Sequence, residues 1–171
     1  TAFTCKFNEV NVFDPSGSLI HGWDFRNDGS NGGTGTSNTF TSCYVNGASA
    51  EPFNFYGLNY CTLNSCAADS YGTGASNVYA YRLESCQGMT MNSCGAELSL
   101  GGGYARLDNT AVVINSPKTF SLTAINGTAN ILASTGTKAV INAPVFADFG
   151  SIAGTTYNFS TSGASVEVLV N

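Results

Sequence analysis

The sequence predicts an all-β fold, a parallel β-helix (β-solenoid) with coils of about 23–28 residues. Three observations carry that reading. A five-residue segment recurs five times, no apolar pattern with a sustained 3.6-residue spacing is present, and the composition is rich in small polar residues but poor in charge. The copies are Thr39-Phe40-Thr41-Ser42-Cys43, Thr62-Leu63-Asn64-Ser65-Cys66, Thr90-Met91-Asn92-Ser93-Cys94, Val113-Ile114-Asn115-Ser116-Pro117 and Val140-Ile141-Asn142-Ala143-Pro144. Their last residues are separated by 23, 28, 23 and 27 positions.

Each column of this alignment has one chemistry. The first position is β-branched, the second large and apolar, the third Asn in four of five copies, the fourth Ser in four of five, and the fifth Cys and then Pro. A strand followed by a sharp corner accounts for all five. The second residue faces inward, and Asn, which tolerates left-handed backbone, is expected to turn the corner. The fifth residue faces inward again, where Cys behaves as a small buried hydrophobe. Stacked Asn side chains can then bond to one another from coil to coil. The period is too short for a propeller blade, and ten Leu are too few for leucine-rich repeats.

A second strand can be placed before each copy. Phe53-Asn54-Phe55, Tyr81-Arg82-Leu83-Glu84 and Arg106-Leu107-Asp108 match one another, and alternation puts Leu83 and Leu107 inside with their charged neighbours outside. The ends are less regular. Residues 1–37 read as an irregular N-terminal coil, with Thr1-Ala2-Phe3-Thr4-Cys5 as a ragged further copy and Asp28 to Gly35 as a Gly-rich surface loop. The regular helix is assigned to 38–145, and 146–171 to terminal coils, a cap or trimerisation strands. The start at Thr1 without Met suggests a fragment or a processed product.

Composition excludes several classes. Asn, Ser and Thr number 18, 19 and 18, whereas charged residues make up 10% and the formal charge is −5. The six basic residues are scattered in sequence, which disfavours nucleic acid as a partner. No run approaches the ~20 apolar residues of a membrane-spanning helix. The spacing of Cys5, Cys43, Cys61, Cys66, Cys86 and Cys94 lacks the paired short intervals of a zinc site, and His21 is the single histidine, so no metal or other cofactor is expected.

With its ladder of Asn64, Asn92, Asn115 and Asn142, the chain resembles right-handed parallel β-helices of the pectate lyase and phage tailspike kind. The resemblance covers roughly 38–145 and specifies fold better than function. Unpaired core cysteines and a polar, low-charge surface bring it nearer to a phage tailspike or tail-fibre receptor-binding protein than to a secreted pectinase. That likeness implies a homotrimer that binds, and often cleaves, bacterial surface polysaccharide, with a place on the virion tail after folding in the host cytoplasm.

Candidate site residues follow from the register. Asp69 and Glu97 each lie three positions beyond a motif cysteine and would stack on neighbouring coils as an acid–base pair for a hydrolase or lyase. Their alternative fate is to diverge into solvent from loop starts. Arg82, Glu84, Arg106 and Asp108 share one outward face, with Tyr56 in the Glu84 column and Asn54 in the Arg82 column. Such a face can stack a sugar on the ring, bond its hydroxyls and hold an acidic sugar on Arg, although surface ion networks also look like this. Trp23 could stack a sugar or pack in the core, and His21 could pair with Asp24. A structural stalk or adhesin segment is the non-enzymatic, non-binding alternative. The sequons at Asn126 and Asn158 are matches that an Asn/Ser/Thr-rich chain produces by chance.

Overall fold

The structure, a computed structural model, describes residues 4–27, 35–72, 78–97, 102–120, 129–146 and 157–169. Within them the chain winds as a right-handed parallel β-solenoid. The first coil holds β1 (Lys6–Asn8), β2 (Asn11–Phe13) and β3 (Trp23–Arg26). The second holds β4 (Thr39–Thr41), β5 (Tyr44–Asn46) and β6 (Phe53–Tyr56), and the third β7 (Thr62–Asn64), β8 (Ala67–Asp69) and β9 (Val78–Glu84). The fourth holds β10 (Met89–Asn92), β11 (Gly95–Glu97) and β12 (Gly102–Asp108), and the fifth β13 (Ala111–Asn115), β14 (Lys118–Phe120) and β15 (Ala129–Ala133). The chain continues through β16 (Lys138–Asn142), β17 (Val145–Phe146), β18 (Tyr157–Thr161) and β19 (Ser165–Leu169).

Stacking these coils generates three parallel sheets. The first contains seven strands in the order β1-β4-β7-β10-β13-β16-β19. The second runs β17-β14-β11-β8-β5-β2 and the third β18-β15-β12-β9-β6-β3. The repeat found in the sequence is the strand of the first sheet plus the corner that leads into the second. Asn64, Asn92, Asn115 and Asn142 stand in register. Asn92 Nδ2 donates to Asn64 Oδ1 at 2.8 Å, Asn115 Nδ2 to Asn92 Oδ1 at 2.8 Å, and Asn142 Nδ2 to Asn115 Oδ1 at 2.6 Å.

The corner itself is turned by the next residue, not by Asn. Ser42, Ser65, Ser93, Ser116 and Ala143 have φ between 46° and 51°. Asn remains the last residue of the strand, where its side chain projects along the ladder. The expectation that Asn takes the left-handed conformation is thereby corrected. A left-handed L-residue costs roughly 1–2 kcal/mol, so the chain spends backbone energy at every coil, and the amide ladder offsets it.

The cysteine column also gains a physical role. Cys43, Cys66 and Cys94 are buried free thiols, as are Cys61 and Cys86, while Cys5 is exposed. Cys66 Sγ donates to Phe40 O and Cys94 Sγ to Leu63 O, both at 3.5 Å, each reaching one coil back. Thr110 and Thr137 do the same at the opposite corner, through Oγ1 to Leu83 O and Leu107 O at 3.0 Å. A thiol therefore fills apolar space and satisfies a carbonyl at once. Inside, Phe40, Phe53, Phe55, Leu63, Tyr81, Leu83, Met91 and Leu107 are among the fully buried side chains of a single core.

Both ends extend beyond 38–145. The N-terminal copy of the motif is Lys6-Phe7-Asn8-Glu9-Val10, with Lys6–Asn8 paired to Thr39–Thr41 and Glu9 at φ 54°. The alignment on Thr1 to Cys5 was displaced, and residues 1–3 lie outside the described residues, as do most of the Gly-rich run and Asn126. Toward the other end, β18 pairs with β15 and β19 with β16, so these strands extend the existing sheets.

Because Asn92 bonds to the amides above and below it, its loss leaves two partners short. Asn92→Ala is expected to lower stability by ~1–3 kcal/mol, whereas Asn11→Ala, at an exposed position, leaves it unchanged. Urea titration of the two variants checks this, and equal midpoints contradict the ladder's role.

Candidate functional site

The third sheet presents the richest chemistry. Alternation along β9 and β12 directs Leu83 and Leu107 into the core and Arg82, Glu84, Arg106 and Asp108 outward. Register then stacks the outward positions into two columns. One contains Asp24, Asn54, Arg82 and Arg106, and the other Arg26, Tyr56, Glu84 and Asp108. Residues spread over more than eighty positions of sequence are brought to four adjacent rungs, ~4.8 Å apart.

The ion pairs run within strands, between i and i+2, and not on the diagonals. Arg26 Nε donates to Asp24 Oδ1 at 2.8 Å, Arg82 Nη2 to Glu84 Oε2 at 2.7 Å, and Arg106 Nε to Asp108 Oδ2 at 2.7 Å. Asn54 Nδ2 joins the first pair, donating to Asp24 Oδ1 at 2.9 Å. The hydrogen bond and the charge of Asp24 push the Arg26 guanidinium up. Between these groups lies a cleft of about 390 Å³ lined by Arg26, Asn54, Tyr56, Arg82 and Glu84. Tyr56 is exposed, and Arg82 Nε is buried with no hydrogen-bond partner. The arrangement offers an aromatic face, amide and guanidinium donors and carboxylate acceptors on one rigid surface.

Arg26 was not singled out in the sequence, and Asp24 was considered only as a partner of His21, although a signal placing both on this face existed. Phe25 precedes Phe55 by the length of one coil, and aligning Asp24-Phe25-Arg26 with Asn54-Phe55-Tyr56 gives the observed register. Trp23 belongs elsewhere. It is buried, in edge contact with Phe7 and Phe40 at centroid distances of 5.1 and 5.4 Å, so it packs in the core and offers no platform to a ligand. His21 is likewise not paired with Asp24. Its Nδ1 lies 2.8 Å from the Glu51 carbonyl oxygen and 3.8 Å from Glu51 Oε2.

A second group of side chains occupies the outward face of the second sheet. Glu97 is in register with Asp69, one rung away. Asp69 is engaged by three donors: Tyr44 Oη and Asn46 Nδ2 to Oδ2 at 2.8 and 3.0 Å, and Ser70 Oγ to Oδ1 at 2.9 Å. Burial, then the Asp69 and Glu97 carboxylates, push the Tyr44 phenol up, although Asn46 opposes them. Glu97 is exposed and lines a groove of about 370 Å³ together with Ala67, Gly95, Lys118 and Phe120. The two acids are neighbours, as their spacing in the sequence required, but their environments differ sharply.

No protein-family profile matches the chain, and no curated protein matches it. Among the described residues, no helix is long and apolar enough to cross a membrane.

If the arginine–carboxylate pairs serve a ligand and not the fold, removing them costs little. The pairs are partly open to solvent, with side-chain exposures of 30% and 36% for Arg82 and Glu84 and of 35% and 18% for Arg106 and Asp108. Arg82→Gln and Arg106→Gln are each expected to change the unfolding free energy by less than about 1 kcal/mol. A larger loss in urea titration would assign these residues to the fold.

Proposed function

We propose that the chain binds a bacterial surface polysaccharide through the outward face of the third sheet, as the receptor-binding β-helix of a phage tailspike or tail fibre. The observation that carries this reading is the cleft among Arg26, Asn54, Tyr56, Arg82 and Glu84. Sugar rings present C–H groups to an aromatic face and hydroxyls to paired donors and acceptors, and this cleft supplies both. The parallel β-solenoid supports the same reading, since its rungs suit an extended polymer. All six cysteines are free, which fits folding in a reducing host cytoplasm before service on the virion outside the cell.

A depolymerase is the second reading, favoured by the register of Asp69 with Glu97 beside the groove at Lys118 and Phe120. In it, one acid protonates the leaving oxygen while the other acts as base or nucleophile. The two readings separate in a single experiment. Isothermal titration against a panel of bacterial surface polysaccharides, with reducing-sugar and unsaturated-uronate assays on the same samples, is expected to show binding. Tyr56→Ala should weaken it by about ten-fold, from loss of ring stacking. Turnover abolished by Asp69→Asn and by Glu97→Gln would establish the depolymerase. Absence of binding to every polysaccharide leaves the stalk reading.

The homotrimer belongs to the same proposal. Thr39, Thr41, Thr62, Asn64, Thr90, Asn92, Val113 and Asn115 make the centre of the first sheet's outward face uncharged. Lone solenoids ordinarily keep such a face soluble with charge. Three copies packed through it would bury a surface on which a charge is costly. Sedimentation equilibrium at micromolar concentration is expected to give three times the 17.7 kDa chain mass, and Thr90→Glu to give monomers. A wild-type monomer refutes the trimer.

A further inference from the structure

We infer that the glycan recognised on the third sheet is acidic, and that carboxylates of its sugars dock on Arg82 and Arg106. This rests on the saccharide-binding reading above and adds the class of ligand.

The distribution of cations is the first support. The chain has three arginines, Arg26, Arg82 and Arg106, and all of them lie on the outward face of the third sheet, Arg82 and Arg106 on adjacent rungs and Arg26 two rungs from Arg82. Its three lysines, Lys6, Lys118 and Lys138, lie on the other two sheets. A chain of net charge −5 thus gathers every guanidinium on one face. Solubility alone does not require that choice. Guanidinium differs from ammonium in offering a planar fork of donors that matches a carboxylate.

The second support is the segregation of charge. Arg106 lies directly over Arg82, and Asp108 directly over Glu84. On these two rungs the face therefore carries stacked cations beside stacked anions, two residues or ~7 Å along the strands, while on the first rung the order is reversed, with Asp24 in the arginine column and Arg26 in the acid column. Two guanidiniums one rung apart repel each other, and an anion placed across them relieves that repulsion. Each acid occupies only one edge of its partner: Arg106 is held through Nε, and Arg82 through Nη2. No other hydrogen bond engages either guanidinium among the described residues, and Arg82 Nε has none. The in-strand carboxylates fix the orientation of the forks and leave other guanidinium N–H groups for a ligand, although Arg82 Nε itself is buried. A neutral sugar would gain as much from Asn or Gln at these positions.

The test alters the ligand as well as the protein. Uronate-bearing bacterial capsular polysaccharides are titrated before and after carbodiimide–borohydride treatment, which converts carboxylates to primary alcohols and preserves the sugar backbone. The native polymer is expected to bind at least about ten-fold more tightly than its reduced form. Arg82→Gln and Arg106→Gln should remove that difference, and Arg82→Lys should restore part of it, in variants whose circular dichroism matches wild type. Equal affinity for native and reduced polymer, or binding of neutral polysaccharides alone, overturns the inference and leaves saccharide binding standing. Failure to bind any polysaccharide, acidic or neutral, overturns both.

Discussion

Everything in this fold depends on residue standing over residue from one coil to the next. That register is held at a corner where a strand ending in Asn is followed by a residue in left-handed backbone. The Asn amide bonds to its counterparts above and below, and the left-handed residue reverses the chain sharply enough for the next side chain to face inward again. Neither device suffices alone. Without the turn the amides would not be aligned, and without the amides the cost of the left-handed residue, repeated from coil to coil, would accumulate unopposed. The inward thiols and threonines that bond to a carbonyl one coil back tie the corners to the coil beneath.

Register also determines how such a protein can build a site. A substitution at one position is always presented beside the same position of neighbouring coils, so chemistry comes in columns. On the third sheet this yields stacked arginines next to stacked acids, and on the second it yields Asp69 next to Glu97. The core is indifferent to these outward residues, because alternation separates them from the Phe, Leu and Met that hold the coils together. Function can therefore change on one face while the ladder on another keeps the fold.

The parts of the molecule that were legible in the sequence are those in which identity repeats. Asn-Ser-Cys recurs, and the strand it closes, its neighbours and its inward column could be placed to the residue. Alternation carried the Arg82, Glu84, Arg106 and Asp108 face as well, because two charged residues flank a leucine in both strands. The first coil was misaligned for a physical reason. Lys6-Phe7-Asn8-Glu9-Val10 keeps the backbone of the motif and the Asn, yet replaces Ser by Glu and Cys by Val, so only geometry reveals it. The role of Asn was misjudged because Asn and Ser at adjacent positions compete for the left-handed conformation, and composition does not say which yields. The hydrogen bonds do: an amide that must reach its neighbours along the axis has to stay on the strand. Trp23 was ambiguous because it is the single Trp, yet it stands over Phe53 and Tyr81 in a buried aromatic column and packs against Phe7 and Phe40; His21 takes its place from proximity to Glu51.

The contrast between the two outward faces bears on what each can do. On the second sheet, the acid nearer the N-terminus is already engaged by a phenol, an amide and a hydroxyl, so its geometry is set whether or not a ligand arrives. On the third sheet Arg82 and Arg106 are each held by one partner only, through one edge, and Arg82 also lines the cleft. Exposed pairs of this kind add little to stability, and their value lies in orientation. A flexible guanidinium would lose conformational freedom on binding, and one already held by its strand neighbour loses less. The same neighbour also neutralises the face, so that an incoming polymer is recognised at contact distance by the forks and not drawn from afar by net charge.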